Sequence, residues 1–168
     1  MIPVADQLEE IEEQVMSGLK DFQQATVNRI DELFRSGQMR ILVSDEVGLG
    51  KTLIARGTIA RFARMRHDVH HDKLVKVIYV CSNAAIAGQN LNKLKISQDI
   101  RKEDASYSRL SMQHLNIFSQ ENDEEIKNSY IQLIPMTPDT SFRVGRFAGT
   151  QEERALMYAF LRRLPELQ

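Results

Sequence analysis

The chain has 168 residues, 42% of them hydrophobic and 27% charged. That balance supports one domain with a real core and excludes both a disordered polypeptide and a pair of large domains. Lys and Arg number 22 against 23 Asp and Glu, a formal net charge of −1, so any nucleic-acid footprint must be a local patch rather than a bulk property.

Cys81 is the single cysteine, which excludes a disulfide framework and makes a cytoplasmic setting the expectation. No apolar run approaches the ~20 residues of a membrane span. The N-terminal "MIPVADQLEE" has no basic-then-apolar signal pattern.

In chain order, "DQLEEIEEQVMSG" reads as an amphipathic, strongly acidic helix, with Leu8, Ile11, Val15 and Met16 at helical spacing and Gly18 near its end. "LKDFQQATVNRIDELFRSG" reads as a second helix, with Phe22, Val27, Ile30, Leu33 and Phe34 on one side and Gly37 as its stop. "MRILVSD" reads as a short buried strand, "KTLIARGTIARFARMR" as a helix apolar on most sides, and "RHDVHHDK" as a polar connection. "LVKVIYVCS" is a β-branched run between helices, the pattern of a parallel strand. A third helix follows in "NAAIAGQNLNKLK" and a third strand in "YIQLIPMTP", with Pro135 and Pro138 confining its end. Residues 96–129 are polar and without sustained periodicity. "TQEERALMYAFLRRL" closes the chain as a helix, with Thr150 and Glu153 at capping-box spacing. Strand-helix alternation of this kind predicts an α/β fold with a mostly parallel sheet flanked by helices.

The chemistry concentrates in "RILVSDEVGLGKTLIA", residues 40–55. A phosphate-binding loop needs glycines where the backbone curls around an anion. It also needs a lysine for the outer phosphates, a hydroxyl for magnesium, and a helix N-terminus adding positive potential. Gly48, Gly50, Lys51 and Thr52 supply these parts between an apolar run and a helix. Asp45-Glu46 therefore belongs to the phosphate loop and not to a separate magnesium-holding strand. The full G-x-x-x-x-G-K-[ST] pattern would put Gly where Asp45 stands. The bland reading of the segment is a glycine-rich turn before a buried helix.

"SDEVGLGKTLIA" resembles the nucleotide loop of superfamily 2 helicases, and among them the Swi/Snf-type DNA translocases, whose loop has the form D-E-[MV]-G-L-G-K-T. In that family Asp at position 45 is ordinary. Three more segments agree in order and spacing. "LKDFQQATV" resembles the upstream adenine-reading element, with Phe22 and Gln23 as its aromatic and glutamine. A glutamine amide has the donor and acceptor to pair with the edge of adenine, and an aromatic packs beside the base. "VIYVCSNAAIAGQNLNKL" resembles the strand-helix that follows the loop, with Gln89 early in the helix and Asn83 near where a proline is usual. "IPMTPDTSF" resembles a later motif of the form L-T-P-x-T-S-F.

The resemblance implies a partial RecA-like P-loop lobe over residues 38–168, preceded by N-terminal helices over 1–37 that carry the adenine-reading element. It implies ATP and Mg²⁺ as cofactors, with Phe22, Gln23, Val47, Gly48, Leu49, Gly50, Lys51 and Thr52 at the nucleotide, Lys51 as the catalytic side chain and Thr52 on Mg²⁺. Gln89, Thr137, Thr140 and Ser141 would face nucleic acid, DNA in preference to RNA, in a monomeric motor. Hydrolysis in that family also requires an acidic box after an apolar strand. Asp123-Glu124 in "FSQENDEEIK" follows polar residues and fails that test. The chain therefore reads as an N-terminal part of a longer translocase, inactive alone as an ATPase. Two alternatives stand beside it: a non-catalytic nucleotide-binding or protein-interaction module using the acidic first helix, and a small P-loop kinase.

Other clusters have plain readings. His67 and His71 have a metal-compatible spacing, but a solvated connection explains them. Arg56, Arg61, Arg64 and Arg66 could track nucleic acid, but a salt-bridged surface facing the acidic first helix is the favoured reading. Cys81 reads as core. Arg143 and Arg146 could contact phosphate or simply be solvated.

Overall fold

A computed structural model describes residues 4–46, 48–72, 74–96, 101–102, 130–138 and 151–164. Its elements are α1 (Val4–Ser17), α2 (Asp21–Arg35), α3 (Lys51–His70), β1 (Val75–Val80), α4 (Ala84–Leu94), β2 (Arg101–Lys102), β3 (Ile131–Met136) and α5 (Gln151–Leu161). Pairing is parallel throughout, in the order β1-β3-β2, with Val75 opposite Ile131 and Val80 opposite Met136.

The central position of β3 explains its sequence. Ile131 through Pro135 are all buried, as a parallel strand covered on both faces requires. Pro135 is tolerated inside it for a specific reason. The carbonyls of Tyr130 and Met136 accept from Val75 and Cys81, so even-numbered residues face β1 and odd-numbered ones face β2. Pro135 turns its nitrogen, which has no hydrogen to donate, toward the β2 side, where the pairing among the described residues ends at Leu133.

α3 is the hub. α1, α2, α4 and β1 all pack against it. Leu8 and Val15 of α1 join Ala60 and Ala63 of α3, Leu91 and Leu94 of α4, and Ile131 and Leu133 in one buried cluster. Leu19, Val27, Ile30 and Ile54 form a second cluster where α2 crosses α3. The acidic face of α1 has its partners there. Arg61 Nε donates to Glu12 at 2.9 Å, and Arg64 reaches Glu9 at 2.7 Å and Glu12 at 3.4 Å. Arg61 and Arg64 form the expected salt-bridged face against α1, whereas Arg66 pairs with Asp72 and Arg56 Nε is buried without a hydrogen-bond partner among the described residues; burial, outweighed by its carboxylate neighbours, leaves the Arg64 guanidinium pKa above its ordinary value.

Three expectations are corrected. "MRILVSD" forms no strand among the described residues, and Leu42 is 90% exposed. An apolar run becomes a strand only beside a partner, and an apolar cleft of about 470 Å³ separates Ile41 and Val43 from Val77, Ile78 and Tyr79 of β1. The edge of β1 away from β3 carries no partner among the described residues. Second, Arg66–His70 is not a connection but the last turn of α3. The helix stops at His71, which takes a left-handed φ of 54°, and Asp72 N–H bonds back to the Arg66 carbonyl while its carboxylate pairs with the Arg66 side chain. Third, Phe22 faces outward at 44% exposure, while the neighbouring Gln23 is buried.

Cys81, one residue past β1, is half-buried. Among the described residues no group of His, Cys, Asp and Glu could hold a metal; His67 instead contacts Asp68 and packs edge-on against Tyr130. No described helix is long and apolar enough to cross a membrane. Asp123-Glu124, Arg143, Arg146 and Thr150 lie outside the described residues.

Candidate functional site

The phosphate-loop segment turns directly into α3. Gly50 is the N-cap, with φ 79°, and Gly48 has φ 92°; both lie in the left-handed region that an L side chain rarely adopts. Residues other than glycine here would strain the turn that delivers the chain into the helix.

The start of α3 differs chemically from those of its neighbours. α1 and α2 each carry an aspartate in the first turn, and Asn83 caps α4 by accepting from Ala85 N–H at 2.8 Å and Ile86 N–H at 3.2 Å. α3 has no acidic residue in its first turn and no side-chain cap. Its first N–H groups and the positive end of a 20-residue dipole are left for an anion.

Lys51 extends that potential. Its Nζ donates to the Asp45 and Glu46 carbonyls, each at 2.8 Å. Asp45-Glu46 is thus folded into the loop by the lysine, which settles its place there and not in a separate magnesium strand. The side chain is exposed, so the ammonium is within reach of a solvent-borne phosphate. Asp45 Oδ2 is buried with no donor among the described residues, leaving one loop acceptor unsatisfied. Thr52, half-buried, lines the apolar cleft with Lys51, Ile54 and Tyr79. These groups suit a nucleotide phosphate with its cation: donors at a helix start, an accessible ammonium, a hydroxyl and an orphan carboxylate oxygen.

Gln23 is 4% exposed and touches the loop directly. Its Oε1 accepts from Lys20 N–H and its Nε2 donates to the Leu49 carbonyl, both at 3.0 Å. Each end of the amide retains one further capacity, a lone pair and a hydrogen, which is what pairing with an adenine edge would use. The exposed Phe22 ring stands one residue away.

Gln89 is exposed on α4. Thr137 follows β3 but is only 2% exposed, so its hydroxyl is not presented to a macromolecule in this conformation, contrary to its expected contact role. Val47, Thr140 and Ser141 lie outside the described residues. Sequence reading missed the Tyr79–Asn90 pair, in which Asn90 Nδ2 donates to the phenol oxygen at 2.8 Å on the wall of the cleft. The alternation of β1 was its only signal.

A family model, that of the type III restriction enzyme res subunit, matches residues 17–142. The matched span runs from just before α2 to beyond β3, taking in the loop, α3 and the β1-α4 unit. No curated protein and no solved structure matches the chain. The family is a superfamily 2 helicase-like domain on a RecA-like P-loop fold, which agrees with the parallel sheet, the flanking helices and the loop at the start of α3. With most of its length matched, the chain belongs to the type III restriction enzyme res-subunit family, a family of ATP-dependent helicase-type domains.

Proposed function

We propose that this chain is the nucleotide-binding part of the motor lobe of a cytoplasmic, monomeric DNA translocase of the Swi/Snf-like kind. The observation that carries this reading is Lys51, held by two loop carbonyls at the mouth of an uncapped α3. An arriving phosphate offers the ammonium full negative charge in place of two carbonyl dipoles. Charge-assisted bonds are roughly twice as strong as neutral ones, which favours the exchange.

In this reading the backbone of Val47, Gly48, Leu49 and Gly50 surrounds the phosphates, and the Thr52 hydroxyl holds Mg²⁺. When bound, the ion neutralises phosphate charge. Phe22 and Gln23 provide the adenine side. Gln89, Thr140 and Ser141 are assigned to the nucleic acid, and the buried Thr137 to the end of β3. DNA is the expected polymer, held through its phosphates and without sequence preference. The 168 residues hold no Asp-Glu pair after an apolar run outside the loop, so the chain by itself is assigned binding and not turnover.

Titration with Mg-ATP tests this. Affinity near the millimolar end, about −4 kcal/mol, is expected, with loss of binding in Lys51→Ala. Unchanged binding in that variant would refute the loop assignment, and steady turnover by the purified chain would refute the restriction to binding. Mixed-sequence duplex DNA should bind more tightly than RNA of equal length; the reverse order would overturn the DNA assignment.

A further inference from the structure

Gln23 sits 26 residues before Leu49, in a different element, yet its buried amide nitrogen donates to the phosphate loop. Two observations show that this contact is built into the turn. First, a Cβ placed on Gly50 would lie 2.5 Å from Gln23 Nε2, closer than such atoms approach. Gly50 is therefore required twice, by its φ and by the amide packed against it. Second, Gln23 is itself fixed, because its Oε1 accepts from the Lys20 N–H at the start of α2. The side chain is a rigid post between that helix start and the loop.

The direction of the bond matters. No cis peptide occurs among the described residues, and a trans peptide points its C=O and N–H in opposite directions. Holding the Leu49 carbonyl toward Gln23 turns the Gly50 N–H away from α2. A freely rotating Leu49–Gly50 peptide would instead present its carbonyl oxygen on that side for part of the time, where it would repel an anion. We propose that Gln23 is a positioning residue of the phosphate loop: by fixing the Leu49–Gly50 peptide it keeps an N–H, and not a carbonyl, on the anion-binding side before any base is bound. This rests on the phosphate-binding reading above and assigns Gln23 a role that does not involve adenine.

The test separates phosphate from base by using Mg-tripolyphosphate, which carries no adenine, alongside Mg-ATP. The variants are Gln23→Ala and Gln23→Glu; the second keeps the acceptor for Lys20 N–H and replaces the donor to Leu49 by a charged oxygen that also repels anions, so the ligand-free order of Gly50, which ligand charge does not enter, is read beside its affinities. Both ligands should bind about tenfold more weakly to each variant, the loss of one hydrogen bond that orders the loop. In the ligand-free protein the Gly50 amide order parameter should fall from about 0.85 to below about 0.6. If Gln23→Glu retains wild-type tripolyphosphate binding and an ordered Gly50 while ATP binding alone weakens, Gln23 only reads the base and the proposal is overturned. If the wild type binds neither ligand, the phosphate-binding reading fails by itself, and the ligand-free Gly50 measurement still decides whether Gln23 orders the loop. Should Gln23→Ala lose its fold, Gln23→Glu with an unchanged circular dichroism spectrum carries the comparison.

Discussion

Gly57→Ala sets two ordinary effects against each other. In the interior of a free helix the change should stabilise by about 1 kcal/mol, because alanine forms helix better than glycine. Gly57, however, is buried where α3 meets α2 and the α1–α2 turn. A Cβ there would lie 2.9 Å from Leu19 Cδ1, 3.0 Å from Val27 Cγ2 and 3.5 Å from Met16 Sδ. Carbon contacts are comfortable at roughly 3.5–4.0 Å, so two neighbours must each give way by about half an ångström or more. Leu19 has a terminal methyl that can rotate. Val27 is β-branched and 1% exposed, so it has neither an easy alternative rotamer nor empty space. Overpacking of this kind costs about 1–3 kcal/mol. Subtracting the helix gain leaves a net loss near 1 kcal/mol, or about 2–4 °C in Tm for a chain of this size. Gly57→Val, with more atoms in the same gap, should lose about 3 kcal/mol. Urea denaturation followed by circular dichroism measures both, with an unchanged m-value showing that only stability moved. A Gly57→Ala midpoint at or above that of the wild type would refute the argument that α2 and α3 touch too closely here for a side chain.

Three further outcomes are expected. Glu12→Ala should cost about 1–2 kcal/mol, since its carboxylate is shared by Arg61 and Arg64 in a largely covered site, whereas Glu10→Ala and Glu13→Ala on the exposed side should stay within about 0.5 kcal/mol; equal effects in urea melts would show that the ion pairs do not dock α1. Asn83→Ala should destabilise by about 1 kcal/mol by uncapping α4, measured in the same melts, and no change would mean that water replaces the cap. Burial first, and then the Asp72 charge, pushes the Tyr130 phenol up to about 12, so its contribution to stability is whole below the ordinary value of 10.0 and is lost as pH rises toward 12. The ultraviolet phenolate titration of wild type minus Tyr130→Phe should show that late step, and ionisation near 10.0 would contradict the burial.

What could be read from the chain alone was whatever depended on local pattern. The spacing of Leu8, Ile11 and Val15, the β-branched run of β1 and the Gly-x-Gly-Lys-Thr turn each carry their own geometry. Even the docking of α1 was legible, because an acidic helix and an arginine run are complementary at any distance along the chain. What was not legible depended on partners. Ile41, Leu42 and Val43 read as a strand by composition, but a strand also needs an edge to pair with. Arg66–His70 read as a connection because it is polar, though a helix facing water is polar too, and Asp72 closes its end. Phe22 and Gln23 are adjacent on a helix, and apolar spacing put the wrong one inside. The preference for burying an amide came from Lys20 and Leu49, one of them in another element.

The open side of β1 has a consequence for handling the molecule in solution. Among the described residues that edge has no strand partner, and Ile78 and Val80 beside it are exposed, as is Leu42. A flat apolar rim with free strand hydrogen bonds is adhesive toward any extended polypeptide, including another copy of itself. Colloidal stability should therefore be poor near the calculated pI of 6.4, where net repulsion vanishes, and should improve at alkaline pH. A lysine at Val80, which is exposed and is not on the cleft wall that Lys51 and Thr52 line, would place a charge on the rim away from the loop and Gln23. That single substitution should separate the tendency to precipitate from the capacity to bind phosphate.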